Sequence, residues 1–251
     1  MAASTCTPAG HCPDIVSTGH AELMDSVYRR QRYIYDFTRK YYLFGRDRLI
    51  RELAPAPNAR IVEVGCGTAR NLIRMAKRYP GRKYFGLDAS EAMLKTARAA
   101  VERADLQDQI VLAHGYAEAL TPGLFGESAA FTDIIFSYSL SMIPDWKQSL
   151  SAAAKALSPD GRIHIVDFGD LNGLIAPARK ALLAWLRLFH VEPRVELLDG
   201  LEQLARKDRN FRVLPGRYAF LLTCFGADLI DLAAPVAPQS QGADKTPAIG
   251  P

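Results

Sequence analysis

The run Ile61-Val-Glu-Val-Gly-Cys-Gly-Thr-Ala-Arg70 constrains this chain more than any other stretch. Its apolar half reads as a buried strand, Gly65-Cys66-Gly67 as a tight turn, and the residues after Ala69 as the start of a helix. Such a corner presents backbone N–H groups to a ligand, and glycine is needed where the ligand meets the main chain. The dinucleotide fingerprint G-x-G-x-x-G would need a third glycine at position 70, where Arg70 stands. The pattern E-x-G-x-G-x-G fits from Glu63 onward, except that Ala69 replaces its last glycine.

A second apolar run, Tyr84-Phe-Gly-Leu-Asp88, places an acidic residue at a strand end, about twenty residues after the glycines. In a doubly wound sheet that carboxylate reaches a nucleoside ribose and accepts from its hydroxyls. Ser90 then caps a helix beginning Glu-Ala-Met-Leu. The plainer alternative makes Asp88 a helix-entry residue and the glycines a mere turn. The coincidence of both features at the right distance disfavours it. With Glu63 in place of the dinucleotide pattern, the expected ligand is S-adenosylmethionine (AdoMet) rather than NAD.

At 251 residues the chain can bury one α/β core with a small insertion. No apolar stretch is long enough to span a bilayer. The N-terminus lacks a basic-then-apolar signal pattern, so a cytoplasmic protein is expected. The four cysteines are scattered, which predicts reduced thiols. Cys6, His11 and Cys12 lack a second ligand pair, so no metal is expected. The net charge of +4 is concentrated: Arg29, Arg30, Arg32, Arg39, Lys40, Arg46, Arg48 and Arg51 face only Asp36 and Asp47 in that segment. This favours an anionic partner, whether nucleic acid, an anionic membrane surface or a carboxylate or phosphate substrate.

Residues 1–20 and 233–251 are rich in small residues and proline and are expected to be loosely ordered tails. Residues 21–53 form an N-terminal helical lid, in two pieces broken near Gly45. Strands are predicted at 60–64, 84–88, 110–114, 132–137 and 162–167, with helices at 69–79, 90–104, 145–157 and 199–208. Such alternation implies a parallel sheet with helices on both faces. The runs 211–215 and 218–224 are joined so closely that they form a hairpin, which makes the final strand antiparallel. The expected fold class is α/β: a Rossmann-like seven-stranded sheet of five parallel strands plus a C-terminal antiparallel hairpin, spanning 54–232. An insertion at 172–196 would hang over the pocket mouth, carrying Leu174, Ile175, Ala178, Leu182, Trp185, Leu186 and Phe189 at helical spacing. Such a stripe either packs on its own domain or lies in a membrane interface.

This architecture, with the glycine corner and Asp88, resembles a class I AdoMet-dependent methyltransferase over residues 55–224. The resemblance implies a cofactor site built from Glu63, Gly65, Cys66, Gly67, Asp88, Ala89, Tyr116, Ala117, Glu118 and Ser137, with Tyr35 from the lid. Tyr116 stands where the family often has an aspartate at the adenine, a departure from its pattern. The fourth strand ends Phe136-Ser-Tyr-Ser-Leu-Ser-Met, without the Asn-Pro-Pro-Tyr signature of many base or glutamine methylases. A nucleic-acid partner is therefore not expected. Tyr138 and Ser139 line the pocket or pack on the next helix, and Asp167 is a fallback base. His164 reads as a satisfied core residue.

Tyr28, Tyr35 and Tyr42 recur every seven residues and share a helix face, as do Arg32, Arg39 and Arg46 on another. Aromatic faces suit a sulfonium or quaternary ammonium, and arginines suit a carboxylate. The segment Asp25–Leu49 resembles the N-terminal part of the bacterial betaine-lipid N-methyltransferase. That resemblance implies trimethylation of the diacylglyceryl-homoserine amine, a lipid substrate at the membrane surface, and a partner aminocarboxypropyltransferase that makes the substrate. It places the chain at the inner face of the membrane. Substrate binding is then expected from Arg32, Arg39, Tyr42, Arg46 and Ser139, with Tyr138, Tyr28 or Asp167 accepting the proton. A phosphatidylethanolamine or quinone-precursor methyltransferase, a non-catalytic AdoMet-fold subunit and an RNA-binding protein stay open, as does the oligomeric state.

Overall fold

The structure, a computed structural model, describes residues 43, 45–187, 193–205 and 210–233. Tyr28, Arg32, Tyr35, Arg39 and Tyr42 lie outside these residues, as do both tails, Cys6, Cys12 and Phe189.

Strands β1 (Arg60–Val64), β2 (Lys83–Asp88), β3 (Ile110–His114), β4 (Phe131–Ser137), β5 (Leu157–Phe168), β6 (Phe211–Val213) and β7 (Ala219–Phe225) form one sheet in the order β3-β2-β1-β4-β5-β7-β6. The first five are parallel, while β7 runs antiparallel to both β5 and β6. The chain reverses its direction of growth between β1 and β4. In a doubly wound sheet the ligand crevice lies at that switch, beyond the strands' carboxyl ends.

Helices α1 (Arg46–Glu52), α2 (Arg70–Arg78), α3 (Glu91–Arg103) and α5 (Ala176–Arg187) cover one face. Helices α4 (Trp146–Ala156), α6 (Val195–Ala205) and α7 (Gly226–Ala233) cover the other. Strand alternation makes two cores: Ile61, Tyr84, Ile135 and Val166 face the first set, and Val62, Val64, Phe85, Phe136 and Ile165 the second. Both faces are buried, so the strands read as continuous apolar runs.

The parallel strands and the hairpin match the sequence reading, and α1 begins just after Gly45, while the helix expected before it lies outside the described residues. Two details differ, and the insertion takes one of the two alternatives open to it. The strand β5 begins at Leu157 rather than 162, because Pro159, Asp160 and Gly161 form an irregular step between the pairs Phe131↔Leu157 and Asp133↔Arg162. The helix expected at 199–208 is described over Val195–Ala205. In the insertion, Leu174, Leu182, Leu183, Trp185 and Leu186 pack against the first core, leaving Ile175 exposed. The apolar stripe thus serves mainly to hold α5 on its own domain.

Candidate functional site

The corner after β1 is built by residues that tie it to β2. Gly65 and Gly67 adopt left-handed conformations at φ 73° and 54°, where glycine has no steric penalty. A β-carbon at Gly65 would lie 2.6 Å from that of Ser139, so the turn after β4 rests directly on the glycine. The amides expected to be bare are not. Gly65 N and Cys66 N donate to Leu87 O at 2.8 and 3.0 Å, and Gly67 N donates to Asp88 Oδ2 at 2.7 Å. The correction has a simple cause: parallel neighbours whose ends are flush satisfy their own turn amides. Helical bonding in α2 begins with Ile73 N to Ala69 O, so the first-turn amides before it are the ones the helix leaves to a ligand.

Asp88 accepts from Gly67 N with one oxygen and from Ser90 N at 2.9 Å with the other. Gly115 N donates to Asp88 O at 3.1 Å, which brings the segment Tyr116-Ala117-Glu118 beside Asp88 and Ala89. Tyr116 is exposed there and Ala117 buried. Ser90 caps α3, accepting from Met93 N at 3.3 Å. Cys66 is buried, and desolvation, then the Asp88 and Glu63 charges, push its thiol well above its ordinary value. It is inert as a nucleophile.

Beneath the corner, Asn71 Nδ2 donates to Glu63 Oε1 at 2.7 Å and to Ser137 Oγ at 3.2 Å, joining β1, α2 and β4. Glu63 and Ser137 thus lie beneath the corner, joined through Asn71. Asn71 was not anticipated; its only sequence signal is a polar residue on the buried face of a predicted helix.

The turn after β4 is strained and held. Tyr138 sits at φ 56°, a conformation rarely taken by a bulky residue. Its ring is 1% exposed and packs edge-on against Phe168 at 4.7 Å, with Tyr218 beyond at 5.9 Å from Phe168. Burial, then the Tyr218 and Asp167 charges, raise its hydroxyl well above its ordinary value, with Arg46 pulling the other way. Arg46, the one member of the arginine stripe within the described residues, is thus buried close to Tyr138, with Nε donating to Leu43 O at 3.3 Å. Ser139 Oγ is buried and has no hydrogen-bond partner among the described residues.

Asp167 does not sit as a base would. It is fully buried, its oxygens accept from Phe168 N at 2.8 Å and Ser141 N at 3.0 Å, and the Leu140 amide also bonds to it. It fastens the turn 139–141 to the end of β5. Burial pushes its carboxyl up to about 6, against those amides. Phe168, Tyr218 and Ser141 surround Tyr138 and Asp167 and were missed by sequence reading; they come together only through contacts between the turn after β4, the end of β5 and the hairpin before β7. Asp170 takes Arg217 Nε on both oxygens at 2.8 Å and Asn172 N at 3.0 Å, which ties the loop after β5 to the hairpin.

The residues fit a nucleoside sulfonium. The crevice offers a corner carboxylate, first-turn amides, a glycine cradle filled by any side chain, and an orphan hydroxyl at Ser139. Comparisons agree. Residues 61–161 match the family described as "Methyltransferase domain". The demethylmenaquinone methyltransferase of Listeria welshimeri is 30% identical over 152 residues, 60% of this chain and 61% of that protein. The ubiquinone/menaquinone biosynthesis C-methyltransferase of Cereibacter sphaeroides is 28% identical over 126 residues, 50% of this chain and 49% of that one. The apo structure of the S-adenosylmethionine-dependent methyltransferase SibL superposes with a TM-score of 0.57 at 16% identity, covering 77% of this chain and 57% of that one. The chain spans about three-fifths of the length of the first of these relatives. The fold is Rossmann-like, and residues 61–161 are similar to S-adenosylmethionine-dependent methyltransferase domains.

Proposed function

We propose that this chain transfers methyl groups from AdoMet to an acceptor that enters between the turn 138–142 and Arg46. The observation that carries this reading is the corner itself: Asp88 bonded to Gly67 N, and Ser139 seated on Gly65. When bound, AdoMet supplies an electrophilic methyl on a positively charged sulfur. Asp88 and Tyr116-Ala117 would hold the nucleoside, and the first turn of α2 its polar tail. The Asp167 tether fixes Tyr138 and Ser139 so that positioning, rather than acid–base chemistry, lowers the barrier. Buried groups with raised values, Tyr138 and Cys66, stay protonated and do not compete for the methyl.

The two sequence relatives favour a quinone precursor as acceptor, because one is named for demethylmenaquinone and the other for ubiquinone and menaquinone biosynthesis. A second reading rests on a different observation: the segment 25–49 resembles a betaine-lipid N-methyltransferase, and Arg46 from that segment lies buried near Tyr138. There the acceptor is the diacylglyceryl-homoserine amine, its carboxylate met by arginine, and an aminocarboxypropyltransferase is the upstream partner. No helix among the described residues is long and apolar enough to cross a membrane, so a lipid acceptor would be reached from the surface.

Purified chain, AdoMet and each acceptor in turn decide between them, with product mass as the readout. A gain of one methyl on demethylmenaquinone supports the first reading. Mono-, di- and trimethyl products on diacylglyceryl-homoserine support the second. Absence of AdoMet binding in calorimetry would overturn the whole assignment.

A further inference from the structure

Away from the cofactor corner, toward the amino ends of the parallel strands, a groove of about 500 Å³ opens between the end of α1 and the strands β5, β6 and β7. Its rim carries three guanidiniums, Arg51, Arg162 and Arg212, with Asn210 beside them. Glu52 stands among them, pairing Arg212 at 3.2 Å and Arg48 at 2.8 Å, and the Asp133 carboxylate lies across the strand pair from Arg162. Arg51 and Arg162 have no side-chain ion pair or hydrogen bond among the described residues. Both are exposed, as is Arg212.

The floor is polar and ordered. His164 on β5 is the cross-strand partner of Thr223 on β7 and a diagonal neighbour of Asp133 on β4, with His164 Nε2 2.9 Å from Asp133 Oδ1 and Nδ1 3.1 Å from Thr223 Oγ1. Thr132 Oγ1 donates to Asp133 Oδ2 at 2.8 Å. Burial raises the Asp133 carboxyl, but the His164 bond and charge, with Thr132 and Arg162, outweigh it and hold it below its ordinary value. Asp133 and His164 are buried, while Thr223 is half-buried where the groove begins. Leu49, Leu53 and Leu221 give the cavity an apolar wall.

We propose that this groove is a second ligand site, distinct from the cofactor corner, that takes a small organic phosphomonoester. The volume falls within the range of small-molecule sites, and a few convergent polar groups beside an apolar wall are what such sites show. Unpaired guanidiniums match the planar, bidentate geometry of phosphate oxygens, and Asn210 adds a further donor. Solvated arginines on a convex face would serve solubility alone; here they ring a concavity whose floor is already satisfied. The bound group therefore meets donors at the rim without disturbing the Asp133–His164–Thr223 chain. The site stands independently of the methyl-transfer reading.

The test uses the full chain and calorimetry at constant ionic strength, with glycerol 3-phosphate and inorganic phosphate as probes and chloride as the control. Glycerol 3-phosphate is expected to bind, and the Arg51→Ala/Arg162→Ala double variant to weaken it by about tenfold or more. S-adenosylhomocysteine affinity, which reads the other site, is expected to change by less than about twofold in that variant. Vesicles containing phosphatidic acid separate the sources of the phosphomonoester. Vesicle binding lost in the double variant, without glycerol 3-phosphate binding, makes the ligand a lipid headgroup. Equal binding by the parent and the double variant, or no binding of any probe up to about 10 mM, overturns the proposal. Circular dichroism confirms that the exposed double substitution leaves the fold intact.

Discussion

Gly65 shows how much a single missing atom decides. Its left-handed φ and the 2.6 Å clash awaiting any β-carbon are independent reasons for glycine, one internal and one from Ser139. Alanine there adds about 1–2 kcal/mol of backbone strain and displaces the turn after β4. Gly65→Ala is therefore expected to weaken S-adenosylhomocysteine binding by about tenfold or more, since 1.4 kcal/mol is tenfold. Calorimetry checks it, and unchanged affinity would show that the cofactor does not lie on this corner. Ala69, at φ 60°, holds a similar left-handed conformation with a methyl in place, so the position keeps the backbone that glycine would take and carries the strain of a β-carbon. The motif residues were legible because their chemistry is local: glycine for φ, serine for a cap, a carboxylate at a strand end. Asn71 and Ser141 were not, because their roles exist only across elements. Arg70, read simply as a missing glycine, places Nη2 3.2 Å from Asp47 Oδ1; Arg74 joins the same oxygen at 2.7 Å, binding α1 to α2.

Among the elements, the fifth strand carries two buried polar residues with opposite tasks. His164 is satisfied on both nitrogens within the sheet, as its setting in an apolar run implied. Asp167, three residues on, holds the turn that shapes the pocket. Its carboxyl, desolvated and pushed up to about 6, gives a sign that can be worked out. Between about pH 4 and 6 the folded chain binds this proton more tightly than the unfolded chain does. Raising pH through that window therefore lowers stability, by up to about 3 kcal/mol when the carboxyl ionises fully. Asp167→Asn cannot ionise, so the stability of the variant relative to the parent is expected to rise by that amount between pH 4 and 7. Urea unfolding at stepped pH measures the difference, which cancels the opposite slopes of Asp47, Asp133 and Asp170. A flat difference would place Asp167 in an environment less apolar than the structure shows. Strand positions were legible from apolar runs, but the early start of β5 was hidden by Pro159 and Gly161, which read as a loop until the sheet pairs Leu157 with Phe131.

For the molecule as a whole, the parallel sheet and its antiparallel hairpin followed from alternation of strands and helices and the short join before the last strand. What the sequence did not disclose is how separate ends are drawn to one place. The corner after β1 abuts the turn after β4 at Gly65 and Ser139, Ser141 N of that turn donates to Asp167 Oδ2 at 3.0 Å, and the loop after β5 is bonded to the hairpin before β7: Gly169 N donates to Tyr218 O at 2.8 Å and Leu171 N to Arg217 O at 3.0 Å. A β-carbon at Gly169 would run into Arg217 O, so this seam admits no side chain. A ligand gripping Asp88 and the Ser139 turn therefore braces elements from both halves of the sheet, and its binding must appear as global stability. At a concentration one hundred times its dissociation constant, S-adenosylhomocysteine is expected to add about 2.7 kcal/mol. For a domain of this size that raises Tm by about 5–11 °C. Asp88→Asn keeps the shape of the corner but leaves one of the two amides, Gly67 N or Ser90 N, without an acceptor. Its Tm is expected to fall without ligand and to rise less with it at the same concentration. Scanning calorimetry of both proteins, with and without ligand, separates the two effects; an equal rise in parent and variant would mean that the ligand braces the molecule from somewhere other than this crevice.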